Sequence, residues 1–190
     1  HGGSDPGATF NGRQEKDDAL ALAMAVGQLL TNAGFDVEYT RTTDVYNTPF
    51  EKAMIGNNAG GDLFVSFHRN SSAVPNMYNG VQTLVYNDEG FKAELARNIN
   101  KNLVALGFED KGVVERPNLV VLKRTKMPAV LIEAGFINSD IDNELYDTKF
   151  DEIAQGIADA IIDTVNDWGL TATNSQSYKI QVGAFRNSQL

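Results

Sequence analysis

Two short apolar runs, each stopped by a titratable side chain, constrain this chain more than any other feature. Leu63-Phe64-Val65-Ser66-Phe67 ends at His68, and Pro128-Ala129-Val130-Leu131-Ile132 ends at Glu133. Neither run alternates apolar with polar residues, which indicates burial on both faces, as in strands of a sheet covered by helices. In open α/β sheets ligands sit in the crevice beyond the carboxyl ends of the strands, so His68 and Glu133 stand where chemistry is expected. The only other histidine, His1, opens a glycine-rich loop, His1-Gly2-Gly3-Ser4-Asp5-Pro6-Gly7-Ala8. Such a loop normally follows a strand, and an apolar strand ahead of His1 is expected to be missing.

The rest of the pattern alternates helices with strands. Ala19, Leu20, Leu22, Ala23, Val26, Leu29 and Leu30 step by three and four, predicting an amphipathic helix over Lys16 to Asn32 that stops near Gly34. Phe35, Val37 and Tyr39 alternate with polar residues as a strand, and Pro49 to Asn58 reads as a short helix. The loop Ser71 to Asn79 precedes a strand over Val81 to Tyr86, followed by a helix on Phe91, Leu95, Ile99 and Leu103. Leu119 to Leu122 and Ala129 to Ile132 read as strands, and Ile153, Ile157, Ile161 and Val165 as a closing helix. The fold expected is a three-layer α/β/α domain, 1–169, with a mainly parallel twisted sheet. Residues 170–177 are polar and aperiodic, a linker; Tyr178 to Phe185 alternates again and reads as the first strand of a second module, 178–190.

Composition removes several function classes. A formal net charge of −9 over 190 residues argues against a general nucleic-acid binder, whose affinity comes from clustered Lys and Arg. No span approaches the roughly 18 to 20 apolar residues of a membrane helix. Without cysteine, neither disulfides nor thiolate metal sites can form.

Two histidines and carboxylates at loop starts and strand ends suggest a metal. Catalytic zinc sites commonly use three nitrogen or carboxylate ligands and leave a fourth position to water, a pattern that His1, Glu15 and His68 satisfy. Each residue also has an ordinary reading. His68 could cap its strand, and Glu15 could simply meet the positive end of the helix it opens. Glu133, costly to bury unless paired or used, could form an ion pair with Lys123 or Arg124. As a general base it would instead take a proton from an attacking water and return it to a leaving amine.

Taken together, His1-Gly-Gly-Ser-Asp-Pro-Gly-Ala8, Glu15, Arg41-Thr-Thr-Asp44, Asp62-Leu-Phe-Val-Ser-Phe-His68 and Lys126-Met-Pro-Ala-Val-Leu-Ile-Glu-Ala-Gly-Phe-Ile-Asn138 resemble the zinc-dependent N-acetylmuramoyl-L-alanine amidases that cleave bacterial peptidoglycan. The resemblance implies one zinc ion held by His1, Glu15 and His68, Glu133 as the catalytic carboxylate, and Arg69 and Asn70 as substrate-binding residues. It implies peptidoglycan as substrate and action outside the cytoplasm, by a monomer. Lys52 stands where the family often has Arg, and Arg69 where a small residue is common. Some members insert an inhibitory helix after the strand matching Val81 to Tyr86; the direct connection through Asn87 to Gly90 predicts no such autoinhibition and no activator partner. The tail from Tyr178 resembles the opening of a sporulation-related repeat that binds glycan. The rival readings are a zinc peptidase of carboxypeptidase type and a non-catalytic wall-binding module.

Overall fold

The computed structural model describes residues 1–170 and 178–183. In chain order the elements are β1 (Thr9–Phe10), β2 (Arg13–Gln14), α1 (Glu15–Asn32), β3 (Asp36–Tyr39), α2 (Pro49–Ala59), β4 (Leu63–Asn70), β5 (Val81–Val85), α3 (Gly90–Val104), β6 (Asp110–Glu115), α4 (Val120–Lys123), β7 (Ala129–Phe136), α5 (Asp140–Thr148), α6 (Phe150–Asp167) and β8 (Lys179–Gly183). Six strands form one sheet in the order β3-β8-β4-β7-β5-β6. Every neighbouring pair is parallel except β5 with β7. The expected layered, mainly parallel fold is the one observed.

Both runs that flagged the site are central strands, and their alternation sorts residues to two unequal cores. Leu63, Val65 and Phe67 of β4, with Val130, Ile132 and Ala134 of β7, join the apolar faces of α1, α3 and α6 in the larger core. Phe64, Ala129 and Leu131 point the other way and pack with Val121 and Leu122 of α4 in a smaller one. By the same alternation Ser66, His68 and Glu133 belong to the face of the smaller core, and Arg69 to the face of the larger.

Local rules explain the helix ends. Pro49 occupies the first turn of α2, where its missing N–H costs nothing, and Thr48 and Glu51 form a reciprocal capping box. The helix α1 has no side-chain cap. Its first free N–H groups, on Glu15 and Lys16, donate to the carbonyls of Ala8 and Pro6 at 2.9 and 3.0 Å, so the glycine-rich loop is fastened to the helix that follows it.

The structure departs from the sequence reading in three places. The segment expected as a strand over Leu119 to Leu122 is the short helix α4, its β-branched Val120 and Val121 notwithstanding. The edge strand β6 and the acidic helix α5 were not foreseen. Lys179–Gly183, expected in a separate module, forms β8 inside the sheet, between β3 and β4. The linker residues 171–177 and the tail from 184 lie outside the described residues.

Candidate metal centre

Three buried side chains from three elements converge at the carboxyl end of β4. His1 begins the loop, Glu15 opens α1 and His68 ends the apolar part of β4; their exposures are 1%, 4% and 3%. Glu15 Oε1 lies 3.0 Å from His1 Nε2 and 2.9 Å from His68 Nδ1. One atom from each residue falls within 4.8 Å of the others.

The far nitrogen of each imidazole has its own partner. His1 Nδ1 lies 3.0 Å from Asp5 Oδ2, and His68 Nε2 lies 3.1 Å from Ser66 Oγ. With Nδ1–H donating to Asp5, a neutral His1 turns the lone pair of Nε2 toward Glu15 Oε1, itself only an acceptor. Lone pairs facing one another across a buried space favour a cation between them, and partners on the outer nitrogens are the usual way ligand histidines are oriented. The residues present therefore fit a zinc ion. With no cation between them the imidazoles can instead turn N–H groups to Glu15; burial then pushes its carboxyl up, but those hydrogen bonds from His1 and His68 outweigh it and hold the pKa at about 2. Burial pulls His68 down to about 4 against the opposing pull of Glu15, leaving a neutral imidazole at pH 7, the form that can ligate.

Backbone shape keeps the cluster tight. Gly7 has φ +70°, and a Cβ there would come within 2.6 Å of Glu15 Oε2 and 2.7 Å of the His1 ring. Glu15 Oε2 accepts from the Ala8 N–H at 2.9 Å and Oε1 from the Arg69 N–H at 3.2 Å, fixing both carboxylate oxygens.

Glu133 sits on β7 directly opposite His68. Its Oε2 is buried without a hydrogen-bond partner. Burial, reinforced by the Glu15 charge and opposed by Arg69, raises its pKa well above the carboxylate range. Lys123 and Arg124, the possible ion-pair partners, are exposed, and neither pairs with Glu133 among the described residues. Lys52, also buried, comes from α2.

Arg69 and Asn70 are placed differently from the other expected residues. Arg69 is 2% exposed and faces the larger core. Its guanidinium bonds Asp18 at 2.7 Å and Asn143 at 2.8 Å, and lies 4.1 Å from the Tyr146 ring centre. Its side chain is committed to the interior, and strand alternation turns it away from the face of His68. Asn70 lies past a break in the β4–β7 register, and its Oδ1 accepts from the Ser71 N–H. Sequence reasoning missed Asp5 and Ser66 as partners of the histidines. Ser66 was legible in principle, because residues two apart on a strand share a face.

A cavity of about 500 Å³ adjoins the loop, lined by Ser4, Asp5, Pro6, Tyr46, Asn47 and Lys52 among others. Another, of about 400 Å³, lies at the opposite ends of the strands beside Tyr86, Phe91 and Ala129, remote from the cluster.

The profile of the N-acetylmuramoyl-L-alanine amidase family matches residues 1–163. The chain belongs to that family. The sporulation-specific N-acetylmuramoyl-L-alanine amidase of Bacillus subtilis is 37% identical over 193 residues, covering 98% of this chain and 72% of that protein. The endolysin of Bacillus phage SPP1 is 34% identical, covering 87% and 64%. Among solved structures, an N-acetylmuramoyl-L-alanine amidase from Clostridium difficile 630 superposes with a TM-score of 0.81 at 31% identity, over 87% of this chain and 92% of that one. The catalytic domain of CwlV, an N-acetylmuramoyl-L-alanine amidase from Bacillus (Paenibacillus) polymyxa var. colistinus, gives 0.79 at 31% identity, over 87% and 94%. The enzyme class of this amidase is thereby fixed, and so is the α/β architecture on which its site is built.

Proposed function

We propose that this amidase hydrolyses the bond between the lactyl group of N-acetylmuramic acid and L-alanine in peptidoglycan, using one zinc ion held by His1, Glu15 and His68, with Glu133 as the proton carrier. The observation that carries the reading is the convergence of three buried ligand atoms within 4.8 Å, opposite a carboxyl group with an unpartnered oxygen. Bound there, zinc would supply Lewis acidity, polarising the scissile carbonyl and making a water acidic at neutral pH. Asp5 and Ser66 orient the two imidazoles. Glu133, with a raised pKa, accepts a proton from the attacking water and donates it to the departing alanine nitrogen, whose protonation lets the C–N bond break. The substrate places this work outside the cytoplasm. The chain passes from β5 to α3 through only Tyr86–Glu89, which supports activity without a separate activator.

Mass spectrometry of purified peptidoglycan, digested with zinc and again with chelator, tests the reading. Zinc-dependent release of intact stem peptides with free L-alanine amino termini is expected. Cleavage inside the stem would assign a peptidase, and no cleavage by folded, zinc-loaded protein would assign a binding module.

A further inference from the structure

Between β4 and β5 the chain runs through residues 71–80, a loop without one charged side chain in a protein whose net charge is −9. Val74, Met77 and Tyr78 hold 52%, 51% and 53% of their surface in water. The loop is fastened at both its near end and its middle. Ser72 N–H donates to Asn138 Oδ1 at 3.0 Å, and Asn138 Nδ2 donates back to the Ser72 carbonyl at 2.7 Å. Asn76 and Asp140 exchange a second reciprocal pair at 2.8 and 3.0 Å, and the Asn76 N–H donates to the Asn138 carbonyl. Three apolar side chains are thus held out to solvent by a backbone with little freedom, which lowers the ordering cost of any ligand that lies on them.

The position of this ledge ties it to the site. It begins three residues past His68 and is fastened to a segment starting five residues past Glu133. The Tyr78 ring packs on Phe136, the last residue of β7, with centroids 6.2 Å apart, and Lys111 lies 5.9 Å from its centre.

We propose that this ledge binds the glycan of the substrate, with Tyr78 and Met77 lying against sugar rings next to the scissile bond. The inference rests on the amidase reading and says which part of the substrate lies where. Charge chooses the occupant. N-acetylated sugars whose lactyl group is amide-linked are uncharged and present C–H faces that suit an aromatic ring and a thioether, and amide groups that suit Asn79. A stem peptide brings at least a terminal carboxylate, which a loop without charged side chains, whose neighbour Lys111 is already paired with Glu109 at 3.3 Å, does not favour.

Calorimetric titration of the full chain with an uncharged tetrasaccharide of N-acetylglucosamine, and separately with free stem peptide, decides the matter. The tetrasaccharide is expected to bind; Tyr78→Ala weakens it about tenfold, Tyr78→Phe restores most of the loss, and stem-peptide affinity stays the same in all three proteins. Met77→Ala, in a side chain half in water, gives the same test should Tyr78→Ala fold poorly. No tetrasaccharide binding by the unaltered chain, equal binding by both alanine variants, or a loss confined to the stem peptide would overturn the proposal. A chain that leaves the muramoyl-alanine bond intact, yet binds the tetrasaccharide through Tyr78, would instead remove the hydrolytic reading and keep the ledge.

Discussion

His68 and Glu133 are register partners on the adjacent parallel strands β4 and β7, and both side chains leave the sheet on the face of its smaller core. Neighbouring strands lie about 4.8 Å apart, so the register alone brings the carboxyl group beside whatever His68 helps to hold. Glu133→Gln preserves shape and removes the proton acceptor. Release of free L-alanine amino termini should fall by a factor of roughly 10² to 10⁴, the scale of a lost general base. Zinc content by elemental analysis should not change. Joint loss of metal and rate would place Glu133 among the ligands instead.

A second contact connects two of the ligand-bearing segments. Asp44 Oδ1 accepts from the Gly3 N–H at 2.7 Å, while Oδ2 meets Lys16 Nζ at 2.7 Å; the same ammonium donates to the Gly3 carbonyl at 3.0 Å. Gly3 is two residues from His1, and Lys16 is next to Glu15. The bonds from Lys16 and Gly3 hold the Asp44 carboxyl below its ordinary range. Gly2 is wedged beneath, where a Cβ would approach the Val45 carbonyl oxygen to 2.1 Å. Asp44→Asn and Lys16→Met should each weaken zinc binding about 10- to 100-fold in chelator competition, the usual effect of loosening an outer support. Unchanged affinity beside a lowered melting temperature would reduce the contact to a purely structural one.

These supports show where sequence reading stops. The runs at Leu63 and Ala129 announced strands, and the residues that end them announced a site, because burial on both faces and an abrupt polar stop leave a visible pattern. The Asp44 contact left none: it spans 41 residues of sequence to Gly3 and depends on a turn at exposed polar positions. Val120 and Val121 suggested a strand, yet the segment is one helical turn packed on Phe64, tertiary contact overriding propensity. The acidic helix α5 escaped notice because Tyr146 and Asp142 are its only buried side chains. Tyr178 to Phe185 read as a strand from alternation, but alternation names no partner, and its place beside β4 was not legible.

Arg69 illustrates a residue better explained by packing than by substrate. Asp18 receives both Arg69 and Arg13 at 2.7 Å, Arg13 continues to Asp147, and Tyr146 lies within 5.3 Å of both guanidinium groups. This network locks the first turn of α1, which carries Glu15, to β4 and α5. Arg69→Met should destabilise the fold by about 2 kcal/mol in urea unfolding, because it removes the bonds of a buried guanidinium to Asp18 and Asn143, while Arg13, still on Asp18, keeps the cost below that of an orphaned charge. A loss under about 0.5 kcal/mol, the range of ordinary surface changes, would contradict a structural role.

Lys52 provides a test that does not depend on activity. It is 1% exposed; burial, aided by Arg41 and opposed by Asp5 and Glu15, lowers its pKa to about 8. In the unfolded chain a lysine titrates near 10.4. Between these values the unfolded state holds a proton that the folded state has released, so this group makes stability rise with pH across the window. Below pH 8 both states hold the proton, and the cost of burying the charge is complete. The full shift corresponds to a change on the order of 3 kcal/mol. Urea unfolding of metal-free protein at pH 7.5 and pH 10 should therefore show a difference that shrinks in Lys52→Met, where nothing titrates at this position. Equal pH dependence in the two proteins would mean that the lysine keeps an ordinary pKa, and that the interior beside the ligand cluster is more open to water than its geometry indicates.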